Sequence, residues 1–200
     1  MQHKLVIGTH NPGKVREMQA ALAAYFSQVY SLSDLNIHQE LAETGTTFYE
    51  NALQKALQVQ ALCPGYAVLT DDSGICVDAL GGAPGVFSAR YAGPHATDAD
   101  NNRKLIEELV NTPQEKRTAA YQCELVLLLP GQWEPICAQG HCTGVLLDAP
   151  AGENGFGYDP YFYVASIGKT FAQASFEEKH ELSHRGQALR ALAKQLDDMA

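Results

Sequence analysis

The chain has 200 residues, 46% of them hydrophobic and 18% charged, with a formal net charge of −9. That balance suits one globular domain or two small lobes with a sizeable core, and excludes a long disordered tail. An acidic chain lacks the basic face that nucleic acid or an anionic membrane surface requires, so neither is an expected partner, and an anionic ligand must be met by a few placed cations or a metal.

Met1-Gln2-His3-Lys4 before Leu5-Val6-Ile7 lacks the apolar core of a secretory signal, and no run reaches transmembrane length, so a cytoplasmic location is expected. The five cysteines are scattered without a Cys-x-x-Cys pair and read as reduced thiols, Cys76 and Cys123 as small core residues. Leu5-Val6-Ile7-Gly8-Thr9 reads as a short buried strand running through His10-Asn11-Pro12-Gly13-Lys14 into a helix with Val15, Met18, Leu22 and Tyr25 on one face. Asn11 suits the N-cap and Pro12 the first helical position, so unpaired backbone N–H groups are expected to point out of the loop. Lys14 lies in the first turn, where the helix dipole prefers an acid. A bound anion would remove that conflict; a plain surface lysine beside a capped helix is the other reading. Gln28 to Leu32 reads as a second strand. Thr47 and Glu50 then have capping-box spacing for a helix carrying Ala52, Leu53, Ala56, Leu57 and Val59 to Leu62, stopped by Cys63-Pro64-Gly65. Glu43 precedes this helix and Glu50 lies in its first turn, either as caps or as carboxylates facing a metal.

Ala67-Val68-Leu69 leads into Asp71-Asp72-Ser73-Gly74, which reads as a strand ending in a polar turn before Ile75-Cys76-Val77 resumes. Alternation along an extended segment sends the two aspartates to opposite sides. A carboxylate beside glycine at a strand end suits a divalent cation or an activated water. Gly81-Gly82-Ala83-Pro84-Gly85 is a loop, and Arg90 after it can meet a phosphate or a carboxylate. Thr97 with Asp100 caps a helix bearing Leu105, Ile106, Leu109 and Val110, which reads as scaffold. Ala119–Leu129 and Trp133–Leu147 about Pro130-Gly131 form a hairpin, so with the earlier strand–helix–strand alternation the sheet is mixed, with helices against it.

In Asn154-Gly155-Phe156-Gly157-Tyr158-Asp159-Pro160 an aromatic is flanked by glycines, either as a stacking platform for a planar ligand or as a plug for the core. Tyr161 to Val164 reads as a strand. Lys179 follows Glu177 and Glu178, and Ser183 suits the N-cap of a final helix opened by His184 and Arg185, with Leu189, Leu192 and Leu196 on its buried face. Cations at a helix start repeat the conflict seen at Lys14 and point to a pocket for a charged or carbonyl-rich ligand.

Thr9-His10-Asn11-Pro12-Gly13-Lys14, Asp71-Asp72-Ser73-Gly74, Gly81-Gly82-Ala83-Pro84-Gly85, Phe156-Gly157-Tyr158-Asp159 and Ser183-His184-Arg185-Gly186 occur in this order. Together they resemble the inosine triphosphate pyrophosphatase family, the non-canonical purine nucleoside triphosphate pyrophosphatases also called HAM1/RdgB. The resemblance runs from Leu5 to Leu196 and implies one domain over residues 1–200. Its fold would be an elongated mixed sheet flanked by helices, of the ITPase/Maf-like α/β kind, with an active-site cleft between two lobes. It further implies a homodimer and a Mg²⁺-dependent, house-cleaning hydrolysis of ITP, dITP and XTP to the monophosphate and pyrophosphate. Matched by motif, Thr9, His10, Asn11, Pro12, Gly13 and Lys14 resemble the triphosphate loop. Asp72 resembles the catalytic base and metal ligand, Ser73 a substrate contact, and Glu43 the second metal ligand. Phe156, Gly157, Tyr158, Asp159, Lys179, His184 and Arg185 resemble the residues that hold the purine.

On this reading Mg²⁺ held by Asp72 and Glu43 bridges the triphosphate while Lys14 neutralises more of it, and water attacks the α-phosphorus. Donors such as Lys179 and Arg185 would select a base carrying a 6-carbonyl, and rejection of guanine would fall to its 2-amino group. Two departures stand out: the rigid Pro12 in the loop, and Ala42 before Glu43, which leaves Glu40 or Glu50 as alternative second ligands. The rival readings are a Maf-type pyrophosphatase for modified pyrimidine nucleotides and a nucleotide sensor without turnover.

Overall fold

The computed structural model describes residues 3–199. Its strands are β1 (Lys4–Ile7), β2 (Gln28–Ser31), β3 (Ala67–Val77), β4 (Thr118–Leu128), β5 (Ile136–Leu146), β6 (Phe162–Val164) and β7 (Lys169–Thr170). Its helices are α1 (Pro12–Leu22), α2 (Phe48–Leu62), α3 (Asp98–Glu108), α4 (Phe176–Leu182) and α5 (His184–Asp198). The strands form one seven-stranded sheet in the order β2-β1-β3-β4-β5-β6-β7. β1 is parallel to both neighbours, with Leu5 opposite Val29 and Ala67. Parallel neighbours need crossovers, which α1 and α2 supply. β6 is antiparallel to β5 and to β7, with Tyr163 opposite Val145 and Thr170. The mixed α/β sheet expected from the sequence is therefore present. Among the described residues, no helix is long and apolar enough to cross a membrane.

The chain divides into two compact units. The first takes the chain up to Asp72, Cys123–Gly140 and the segment from Arg185 onward. Strand alternation sorts its core. Leu5, Ile7, Leu69, Leu125 and Leu127 face Met18 and Leu22 of α1 and Leu189, Leu192 and Leu196 of α5. Val6, Val68 and Val126, one residue out of step, face Ala52, Ala56 and Val59 of α2. Both faces of these strands are thus covered by helices, which is why they read as unbroken apolar runs.

The second unit comprises Ser73–Gln122 and His141–His184. Ile75, Val77, Tyr121, Leu146, Phe162 and Val164 pack with Leu105 of α3, with Leu109 at its C-cap and with Phe171. One reading is corrected here, and one element is added. Asp71-Asp72-Ser73-Gly74 is no turn: β3 runs unbroken through it, and both acids find cationic partners on flanking helices, Lys14 and Arg185 for Asp71 and Lys55 for Asp72. Lys179 lies on a helix that hydrophobic periodicity did not reveal, α4, seven residues long and closed at its start by a Ser175–Glu178 capping box. The five cysteines are free thiols.

Candidate active site

The parity of β3 decides which acid meets which helix. Asp71 is in step with Leu69 and points to the α1 and α5 side, where its Oδ2 lies 2.8 Å from Lys14 Nζ and 3.2 Å from Arg185 Nη2. Arg185 also binds Glu17 Oε2 through Nη1, at 2.8 Å. Asp71 is fully buried. Burial alone would raise its carboxyl pKa, but Lys14 and Arg185 overcome that and hold it far below the usual range.

Asp72 points the other way, toward α2. Its Oδ2 accepts a hydrogen bond from Asn51 Nδ2 at 2.9 Å, and its Oδ1 is 3.7 Å from Lys55 Nζ. The same Lys55 ammonium binds Glu43. Burial pushes the Asp72 carboxyl up, against the opposing pull of Lys55 and Asn51. Burial would lower the Lys55 pKa, but the surrounding acids Asp71, Asp72 and Glu43 raise it, so the lysine is held charged. A buried carboxylate with a raised pKa, fixed by an amide on one oxygen, is suited to taking a proton from water.

In the α1 loop the N-cap and first-helical places of Asn11 and Pro12 are as expected. The expectation of unpaired loop amides is corrected, since Asn11 Oδ1 takes the N–H groups of Gly13 and Lys14 and Thr9 Oγ1 takes that of Asn11. The loop therefore presents the Lys14 charge on a tightly tied turn. His10 Nε2 lies 3.0 Å from the Gln39 carbonyl oxygen.

In the second unit Lys179 Nζ sits 4.4 Å from the centroid of the Phe156 ring and 2.5 Å from Asp159 Oδ2. Asp159 Oδ2 also accepts the Phe156 N–H at 2.8 Å. Gly155, at φ +77°, has no room for a side chain, because a Cβ there would lie 2.1 Å from that carboxylate. His184 stacks on Tyr121 with centroids 4.6 Å apart. Tyr158 is turned into the core, its hydroxyl donating to the Ser88 carbonyl. Ser73 is half-buried. Arg185, which the sequence reading expected against the base, is 1% exposed here and has its guanidinium on Glu17 and Asp71. Its neighbour His184 and Lys179 are in the second unit.

The donor set for a metal is small. Among the described residues no group of three or more His, Cys, Asp and Glu side chains forms a cage. Asp72 and Glu43 both reach the one Lys55 ammonium, so their oxygens already converge on a shared cation. Two carboxylates and no softer donor fit a hard divalent ion that completes its shell with water and phosphate oxygens. Glu50 Oε2 accepts the Thr46 and Thr47 N–H groups as the helix cap, a role that accounts for Glu50 without a metal. Asn51 and Lys55 were missed from sequence, although a signal existed: both lie on the apolar stripe of Ala52, Ala56 and Val59, and a polar residue on a buried face needs a partner.

This α/β protein carries acids on opposite faces of one strand, each held by a lysine from a different helix. The chain belongs to the Ham1 family, whose family model matches residues 5–195. It is 47% identical over 196 residues to a protein of Yersinia pseudotuberculosis named dITP/XTP pyrophosphatase, covering 98% of each chain. A Bacillus subtilis protein of the same name is 44% identical, covering 96% of each. Among solved structures, the Staphylococcus aureus Ham1 protein superposes with a TM-score of 0.86 at 38% identity, covering 98% of this chain and all of that one. A HAM1 protein from Coxiella burnetii gives 0.87 at the same identity.

Proposed function

We propose that the chain is a nucleoside triphosphate pyrophosphatase that hydrolyses the non-canonical purine nucleotides dITP, ITP and XTP to the monophosphate and pyrophosphate. Relatives sharing nearly half of its residues over its whole length bear the name of that activity. The observation that carries the chemistry is Asp72, buried, raised in pKa and locked by Asn51 beside the charged Lys55.

In this reading Asp72 orients a water and takes its proton as the oxygen attacks the α-phosphorus. The bond from that phosphorus to the bridging oxygen breaks, and pyrophosphate leaves with its charge met by Lys14 and Lys55. Mg²⁺ bound by Asp72 and Glu43 would supply charge neutralisation of the phosphates. Thr9 to Lys14 form the phosphate-side loop, with Ser73 a further contact. The purine falls to Phe156 through Asp159, Lys179 and His184, with the Lys179 ammonium as the donor to a 6-carbonyl, a group adenine lacks. A homodimer in the cytoplasm completes the reading, the first of these open to sedimentation analysis.

Pyrophosphate release from ITP, XTP, dITP and the four common NTPs, each with and without Mg²⁺, tests it. Metal-dependent turnover of the first three far above ATP and GTP is expected. Turnover of modified pyrimidine nucleotides instead, or binding without turnover, would transfer the chain to a rival reading.

A further inference from the structure

The helix α3 reads as scaffold in the sequence, yet two of its side chains reach the backbone of one residue, Gly157, in the loop that carries Phe156. Gly157 N–H donates to Asp98 Oδ2 at 2.7 Å. Asn102 Nδ2 donates to the Gly157 carbonyl, and to the Asp98 carbonyl, each at 2.8 Å. The two residues are four apart, so a helix sets them on one face.

We propose that Asp98 and Asn102 are positioning residues for base recognition: they clamp the Gly157 backbone on its N–H and its carbonyl, in the two peptide groups either side of its Cα, and so fix the Phe156 ring. The proposal rests on the reading of Phe156 as the stacking platform for the purine.

Phe156 stands between glycines at φ +77° and +64°, so its backbone has more freedom than any other residue pair would leave it. The Phe156 N–H is held by the Asp159 carboxylate and the Phe156 carbonyl accepts the Asp159 N–H, while the Gly157 N–H and carbonyl that follow are tied by the α3 side chains. Close packing does not do this work, because a cavity of about 530 Å³ lies against Asp98, Asn102, Phe156 and Gly157. The clamp itself stands on firm ground: α3 opens with a reciprocal Thr97–Asp100 capping box, and its Leu105 and the C-cap Leu109 are fully buried. Asn102 is itself 7% exposed, and its buried Oδ1 has no hydrogen-bond partner among the described residues. Such an acceptor is costly, so the residue is kept for the two bonds it donates. A ring ordered before the nucleotide arrives spares the binding step the cost of ordering it.

The test uses the full chain with Asp98→Ala, Asp98→Asn, Asn102→Ala and Phe156→Ala, reading amide hydrogen exchange at Gly157 by NMR and steady-state turnover of ITP. Asp98→Ala should speed Gly157 exchange about tenfold and raise KM for ITP about fivefold, with kcat within about twofold of wild type. Asp98→Asn, which keeps an acceptor oxygen, should recover most of both losses. In a Phe156→Ala background the same substitutions should move KM less than about twofold, since the clamp then has no ring to hold. Should Asp98→Ala not fold, Asn102→Ala leaves the first turn of α3 intact and carries the same expectations. Unchanged Gly157 exchange, or a KM loss that persists without the Phe156 ring, would overturn the proposal. If the wild-type chain fails to turn over ITP, the activity reading falls, and the exchange rates still decide whether the clamp exists.

Discussion

Asn51 Nδ2 donates to Asp72 Oδ2 at 2.9 Å, and the other end of the same amide accepts the Gly45 N–H at 2.8 Å. The Gly45 bond fixes which way the amide faces, so Asn51 presents only its donor end to Asp72. One carboxylate oxygen is thereby oriented, and Oδ1 faces Lys55.

Asn51→Ala should therefore lower kcat by roughly 10- to 100-fold while nucleotide still binds, the size typical of losing a partner that orients a functional group. It should also cost about 1–3 kcal/mol of stability, because buried groups lose their hydrogen bonds. Asp72→Asn should lower kcat further, by about 10²–10⁴, with binding retained in calorimetry. Wild-type kcat in Asn51→Ala would sink the positioning role.

Lys55 holds Glu43 and Asp72 together, so the metal reading separates the acids cleanly. Chelation should abolish turnover and Mg²⁺ restore it. Glu43→Gln should raise the Mg²⁺ concentration for half-maximal turnover by about tenfold. Glu50→Gln should leave that concentration unchanged and cost about 0.5–2 kcal/mol of stability through the weakened cap of α2. Titrating activity with Mg²⁺ in the two variants checks both, and equal shifts would return Glu50 to the metal site. Lys55→Met should raise KM for ITP by roughly tenfold or more, since it removes the buried charge that the proposed mechanism sets against the phosphates.

Local chemistry made much of this legible. The Asn11 cap, Pro12 at the first helical position and the Thr47–Glu50 and Thr97–Asp100 boxes are contacts between near neighbours, and residues three apart in sequence announce them. The opposite faces of Asp71 and Asp72 also follow from strand parity alone. What hid was long-range. Arg185 meets Asp71 114 positions away and Glu17 168 away, and nothing local separates such a buried arginine from an exposed one. Asn102 meets Gly157 across 55 positions, so α3 could only read as scaffold. The polar turn failed for the same reason: two adjacent acids look like a surface until their cations are known.

Arg185 offers the sharpest contrast between a ligand contact and a core ion. Its guanidinium bonds to Glu17 and Asp71 hold it charged, with the surrounding acids overcoming the burial that would otherwise lower its pKa. Arg185→Met should leave those two carboxylates without their cation and cost about 3–5 kcal/mol, read as a lower urea midpoint. A donor to the base would instead raise KM and spare stability. Normal stability with a raised KM in Arg185→Met would therefore reverse the assignment.

Cys123 lies in the same charged neighbourhood, fully out of water, and burial pushes its thiol from the ordinary 9.0 up to about 12. The fold thus favours the neutral thiol. Its contribution is complete below pH 9, where the unfolded chain is also protonated, and is lost as pH rises toward the folded value, because the unfolded thiol ionises first. Stability should fall by up to about 1.4 kcal/mol per pH unit above pH 9 from this group alone. Cys142, pushed up to about 11 by burial, adds a slope of the same sign, so the comparison needs a variant in which only one thiol is gone. Urea midpoints from pH 8 to pH 10.5 for wild type and Cys123→Ala should converge as pH rises, whatever cavity cost separates them at the start. Parallel curves would show that the Cys123 thiol ionises as easily inside the protein as outside, and that the space between Asp71 and Arg185 is wetter than their burial indicates.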